Sequence, residues 1–276
     1  MSTLDLIPFI SSTEAMKPPK WSYHGETGPD HWAENFPLCR GTRQSPVDLA
    51  MENVVNQTYY EPFRFFNYDK LPSNMTVVNN GHTIIVLLEM GNRPTVSGGG
   101  LGHEYELVQM HFHWGRDFSR GSEHKFGNRS YSAELHLVHY NLYYGSIEEA
   151  VRYSDGLAVL GICMDVMYTD NPNLNNIISA LDYIYKADTQ ISIQPFPISQ
   201  LMPNDMRLFF RYAGSLTTPP CSEVVVWTVF EKPIVVSHYQ LAKFRTLWDD
   251  EGMPLVDNFR PLQAGNGRQV QYVHIN

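Results

Sequence analysis

Two short apolar runs carry the side chains best suited to chemistry: Gln109-Met110-His111-Phe112-His113-Trp114 and, further on, Glu134-Leu135-His136. Their composition predicts extended strands. Successive side chains of a strand point to opposite faces, so His111 and His113 emerge together and Gln109 joins them. Glu134, His136 and Val138 share a face in the same way. If the two strands are neighbours, three imidazoles converge on one point. Three nitrogen donors with an open fourth position suit a zinc ion. Gln109 and Glu134 each stand two residues before a histidine, placed to accept the ring's other N–H and fix its tautomer. Taken alone, these residues leave two readings open, a metal centre or hydrogen-bonded histidines of an ordinary core.

The surrounding chain must supply a rigid sheet for such a site. Strand candidates are Thr76–Asn79, Thr83–Met90, Leu107–Trp114, Ala133–Tyr140, Leu157–Met167, Leu208–Tyr212 and Glu223–Phe230, rich in β-branched and aromatic residues and separated by turn residues. The unbroken apolar run Leu157–Met167 predicts a strand buried on both faces at the sheet's centre. Helical spacing occurs twice. Leu174, Ile177, Ile178, Leu181 and Ile184 follow one periodic stripe. Ser237 with Gln240 forms a capping-box signal before the stripe Leu241, Phe244, Leu247 and Trp248, whose leucines and aromatics are expected in the core. Residues 1–20 read as a loose arm and Trp21 to Pro46 as irregular structure packed on the core. Residues 21–276 read as one domain, mainly β with peripheral helices.

Composition narrows the function. Of 276 residues, 43% are hydrophobic, enough for one sizeable core. The net charge of −9, with no basic stripe, argues against a nucleic-acid partner or an anionic membrane surface. No apolar run reaches about 18 residues, so no membrane span is expected. Three cysteines are too few for a disulfide scaffold. Cys163 sits in an apolar run as a small hydrophobe. Cys39 and Cys221 lie in loops, and composition does not say that they pair; a bridge would close about 180 residues and stabilise by at most about 4–5 kcal/mol. The first residues do not read as a signal peptide. Asn56, Asn74 and Asn128 begin glycosylation triplets.

Further segments, with the histidines, resemble the α-class carbonic anhydrases. They include Trp21-Ser22-Tyr23, Gly28-Pro29-Asp30-His31-Trp32, Arg43-Gln44-Ser45-Pro46-Val47, Asn79-Asn80-Gly81-His82, Gly121-Ser122-Glu123-His124, Ser215-Leu216-Thr217-Thr218-Pro219-Pro220-Cys221 and Asp257-Asn258-Phe259-Arg260-Pro261. They run in family order from Trp21 almost to the C-terminus. The resemblance implies a twisted, mostly antiparallel sheet of about ten strands, with the metal at the bottom of a conical cleft. The implied activity is reversible hydration of CO2 to hydrogencarbonate and a proton, with ester hydrolysis as a side activity. A binding domain on the same fold without catalysis is the rival, disfavoured because the full residue set is present.

The resemblance also implies roles. His111, His113 and His136 match the ligands of one Zn2+, supported by Gln109, the Asn258 carbonyl and Glu134 respectively. Zinc so held lowers the pKa of its bound water to about 7, an effect for which carbonic anhydrase is itself the standard example, and zinc-bound hydroxide then attacks CO2. Thr217 and Glu123 match a pair that orients this nucleophile. Val138, Val159, Leu216, Val225, Trp227 and Thr218 match the substrate pocket. His82 matches the proton shuttle, an imidazole with pKa about 6.5 that relays protons either way, with Tyr23 and Asn80 holding the waters between. Buried, structural histidines are expected at His124 and His139.

Three departures accompany the match. Ile85 stands on the cleft side where relatives often carry a polar residue. Phe259 replaces a common tryptophan, expected as a volume change in the core. Cys39 and Cys221 match the disulfide of the secreted and membrane-anchored branch, which suits an oxidising compartment. An extracellular enzyme with its leader absent is therefore expected, with a cytoplasmic one as the alternative.

Overall fold

The computed structural model describes residues 19–275; residues 1–18 of the expected arm lie outside the described residues. Twelve strands form one sheet among them. They are β1 (Val54–Tyr60), β2 (Arg64–Phe66), β3 (Asn74–Asn79), β4 (Ile84–Glu89), β5 (Thr95–Gly98) and β6 (Leu101–Trp114). β7 (Ala133–Asn141), β8 (Leu157–Met167), β9 (Thr189–Ile193), β10 (Leu208–Gly214), β11 (Val225–Ser237) and β12 (Val270–Ile275) complete the set. The spatial order is β1-β12-β10-β11-β8-β7-β6-β4-β3-β9, with β2 attached through β5 to β6. Only β1 with β12 and β8 with β11 pair in parallel. β8, flanked by β11 and β7, is buried from Leu157 to Met164, as its apolar run predicts.

The four α-helices among the described residues are short: α1 (Trp32–Asn35), α2 (Ile147–Ala150), α3 (Asn175–Leu181) and α4 (His238–Phe244). The predicted capping box is present at α4, where the Ser237 hydroxyl accepts the Gln240 N–H at 3.0 Å and the Gln240 side chain accepts the Ser237 N–H at 3.2 Å. Such a cap stabilises a helix by about 1 kcal/mol. α4 covers one face of the sheet: the Phe244 ring packs 5.3 Å from Phe112 and 5.1 Å from Trp114. Each such side chain contributes about 1.5–3 kcal/mol when fully buried. This anchors β6 from behind.

Several expectations change. α3 stops at Leu181, although Ile184 beyond it is still buried. Trp248, expected in the core, is 45% exposed and packs edge-on against Tyr185, because the chain has left the helix before reaching it. Phe259 is only partly buried. β11 runs past Phe230, where the strand candidate Glu223–Phe230 is expected to end. An irregularity in the β8 pairing between Phe230 and Ile234 accommodates Pro233, and the strand resumes to Ser237.

Candidate metal centre and cleft

β6 and β7 are antiparallel neighbours in which His111 faces His136, Phe112 faces Leu135 and His113 faces Glu134. Met110, Phe112 and Trp114 fill the core behind them, each at most 1% exposed. The alternation that buries these three turns the histidines to the opposite face. Upstream the alternation breaks. Pairing slips between Leu107 and Gln109, leaving Val108 as the extra residue of a β-bulge. Leu107 therefore enters the core while Val108 and Gln109 both line the cleft. Arg93 satisfies the kinked backbone, donating to the Leu107 and Val108 carbonyls at 3.0 and 2.9 Å.

The three rings meet. His113 Nε2 lies 3.1 Å from His136 Nδ1, which lies 3.2 Å from His111 Nε2. Their outer nitrogens face acceptors: His111 Nδ1 the Gln109 Oε1 at 3.0 Å, His113 Nδ1 the Asn258 carbonyl at 2.7 Å, and His136 Nε2 the Glu134 Oε1 at 2.8 Å. Each ring proton is thus held on the outer side. Burial lowers the pKa of all three histidines, to about 4 for His113, so the rings are neutral. The inner nitrogens cannot hydrogen-bond to one another, because none of them carries a proton. Three lone pairs converging in a buried place call for a cation. Nitrogens about 2.0–2.1 Å from a tetrahedral zinc lie about 3.3–3.4 Å apart, close to the separations found. The donor set fits zinc.

Behind this centre Glu134 is shared. Its Oε1 also accepts from His124 Nδ1 at 2.7 Å and its Oε2 from the His124 N–H at 2.8 Å. Burial pushes its carboxyl up, but the His124 and His136 imidazoles outweigh that and hold it well below the usual carboxylate range. Tyr212 then closes on His124 Nε2 at 2.7 Å. His124, Glu134 and His136 could be taken for a second metal cluster, but their facing atoms are joined by protons, so they form a support. His124 and His139 are both fully buried, as expected.

Glu123 is 1% exposed. Its Oε1 accepts the Arg260 N–H at 2.8 Å, and its Oε2 lies 3.5 Å from His113 Nε2 with no well-formed hydrogen bond. Burial pushes this carboxyl up to about 7, against His136, the Arg260 N–H and the Thr217 hydroxyl. The loop carrying Thr217 is braced by a Cys39–Cys221 disulfide spanning 182 residues. The Cys221 N–H meets the Thr218 carbonyl at 2.9 Å. On the other arm, the Arg260 side chain donates to the Cys39 carbonyl at 3.1 Å. One residue, Arg260, therefore touches both the bridge and Glu123. Cys163 is a buried free thiol.

Val138, Val159, Leu216, Trp227 and Thr218 line the cleft, with Tyr23 and Asn80. Val225 is not among the lining residues; it is fully buried in the apolar cluster that also holds Val159 and Trp227. Ile85, Val108, Ile147 and Leu157 add apolar surface to the cleft. Leu157 shares a strand face with Val159, so alternation could have found it. Val108 needed the bulge, which has no sequence signal; Ile147 needed the fold of α2, whose start is marked by Ser146 with Glu149, a capping pattern that the structure uses. His82 sits in the β3–β4 turn, half-buried, its ring stacked on Trp21 with centroids 3.9 Å apart. The Asn80 Oδ1 accepts the His82 and Thr83 N–H groups at 3.0 and 2.9 Å, so this side chain shapes the turn itself.

A family model described as eukaryotic-type carbonic anhydrase matches residues 27–274. The chain is 39% identical over 257 residues to carbonic anhydrase 7 of Mus musculus, covering 91% of this chain and 96% of that relative. It is 37% identical over 259 residues to putative carbonic anhydrase 3 of Caenorhabditis elegans, covering 93% and 98%. Carbonic anhydrase 15 of Mus musculus matches at 36% over 265 residues, covering 91% and 82%.

Proposed function

The chain belongs to the eukaryotic-type carbonic anhydrases, enzymes that interconvert CO2 and hydrogencarbonate, and from that premise we propose a zinc-dependent hydration cycle in which His82 carries the proton. The observation that carries this reading is the convergence of three deprotonated ring nitrogens at 3.1 and 3.2 Å, with every outer nitrogen engaged. His111 Nε2, His113 Nε2 and His136 Nδ1 would hold the zinc. When bound, zinc acts as a Lewis acid that makes water a nucleophile near neutral pH, the effect for which this family is the standard example.

The remaining work falls to the chain. Val138, Val159, Leu216 and Trp227 offer an apolar wall to CO2, which has no charge and no strong hydrogen-bonding handle. Thr217 donates its hydroxyl proton to Glu123, whose ionised form a nearby divalent charge favours. That leaves the Thr217 oxygen as an acceptor, which aims an incoming O–H group and disfavours ligands without a proton to give. His82 accepts the released proton and passes it outward, since imidazole exchanges protons readily near neutral pH. Asn80 fixes the turn that presents it.

The Cys39–Cys221 bridge favours an oxidising, extracellular setting, and residues 21–276 act as one domain. Replacing His136 with Ala tests the centre: bound zinc should fall from stoichiometric to trace by elemental analysis, and CO2 hydration by stopped flow to the uncatalysed rate. A variant that keeps both would sink the assignment.

A further inference from the structure

His82 lines two hollows. One is the cleft already described; the other is a small crevice formed with Ser22, Tyr23, His24, Gly81, Asp249 and Asp250. Its chemistry differs from that of the cleft: it holds none of the three ligand histidines, but a second imidazole and two carboxylates.

The crevice is firmly built. His24 Nε2 meets Asp249 Oδ2 at 3.0 Å. Asp249 is nearly buried, and its Oδ1 accepts the Glu251 and Met253 N–H groups at 3.0 and 2.7 Å. Its carboxylate is thereby fixed, with Oδ2 turned to the histidine. The His24 ring is 48% exposed, open to buffer. The His82 turn presses on the same wall, since a Cβ on Gly81 would come within 3.0 Å of the Asp250 Cβ. Trp21, on which His82 stacks, belongs to the segment that carries His24, and the Ser22 hydroxyl bonds to the His24 N–H and carbonyl at 3.3 and 2.7 Å.

We propose that His24, backed by Asp249, is an outer proton acceptor that clears His82 between turnovers. This rests on the reading of His82 as the proton carrier. Neutral His24 donates its Nε2–H to Asp249, which leaves Nδ1 as the acceptor. The step balances: His82 loses one proton, His24 gains it at Nδ1, and a buffer base then removes it from the exposed His24 ring. Imidazole gives and takes protons readily near neutral pH, and the hydrogen bond to Asp249 fixes the His24 ring so that Nδ1 stays the open acceptor. Dehydration runs the same path inward.

A purely mechanical tie between residues 22–27 and 249–253 would show the same hydrogen bond, so the decisive variant is His24→Gln. Glutamine keeps an N–H donor for Asp249 but takes up no proton. Stopped-flow CO2 hydration by the zinc-loaded full chain should show a several-fold loss of kcat in weak buffer. The loss should be confined to kcat, relieved by added imidazole, and absent from the thermal midpoint. Adding His24→Gln to His82→Ala should cause no further loss. Wild-type kcat for His24→Gln beside an impaired His82→Ala overturns the relay and leaves the carrier standing. An unimpaired His82→Ala overturns the carrier itself, and the relay with it. A loss equal in weak and strong buffer, with a lowered thermal midpoint, shows the mechanical tie and also overturns the proposal.

Discussion

Every ring nitrogen of His113 and His136 has a fixed neighbour, and both rings are 1% exposed. The His82 ring, at the mouth of the same cleft, is half-buried on the flat face of Trp21. In the proposed cycle the contrast separates two demands of one reaction. Metal ligands must hold their positions to a fraction of an ångström, so the floor is built from paired strands with a support behind each ring. A proton carrier, the role proposed for His82, must deal with the cleft and with solvent in turn, and the turn that presents it is fixed by the Asn80 side chain. Burial on the floor also keeps the ligand imidazoles neutral, whereas a carrier must alternate between charge states.

The largest test of this contrast is Glu134→Gln. It removes the charge shared by His136 and His124, and outer-shell losses of this kind cost about 10–100-fold in metal affinity. Competition against a chelator measures this, and unchanged affinity would mean that the floor does not depend on its support. Next comes Cys39→Ser with Cys221→Ser. Losing a 182-residue closure should lower stability by up to about 4–5 kcal/mol, a fall in thermal midpoint of about 10 °C. Zinc should remain stoichiometric, because the ligands stand on β6 and β7, while kcat should fall with the Thr217 loop. Loss of zinc in that variant would show that the floor and the loop are one unit. The smallest effect belongs to His82→Ala, with zinc retained, kcat reduced several-fold in weak buffer, and the rate restored by imidazole. No loss and no rescue would send the proton elsewhere and erase the division.

The floor was largely legible in the sequence, since strand alternation alone groups Gln109, His111 and His113, and likewise Glu134, His136 and Val138. The long apolar run of β8 declared its central place. Other features depend on partners far along the chain. β1 and β12 join residues 54–60 to 270–275, and neither carries a clean alternating pattern. The Asn258 carbonyl came only through the family resemblance, because a backbone group leaves no mark in residue type. His24 and Asp249 lie 225 residues apart and touch only because two loops fold beside the β3–β4 turn. Val225 shares a strand face with Trp227, but alternation tells which side a residue faces and not how deep it lies.

The bulge at Val108 has a consequence for how this strand tolerates change. A regular strand transmits a gain or loss of one residue along its whole length, exchanging inside for outside at every later position. Here the phase is reset between Leu107 and Gln109, immediately before the first side chain that supports a ligand. The outer half of β6 can therefore lengthen, shorten or change its own pattern while the imidazole-bearing half keeps its frame.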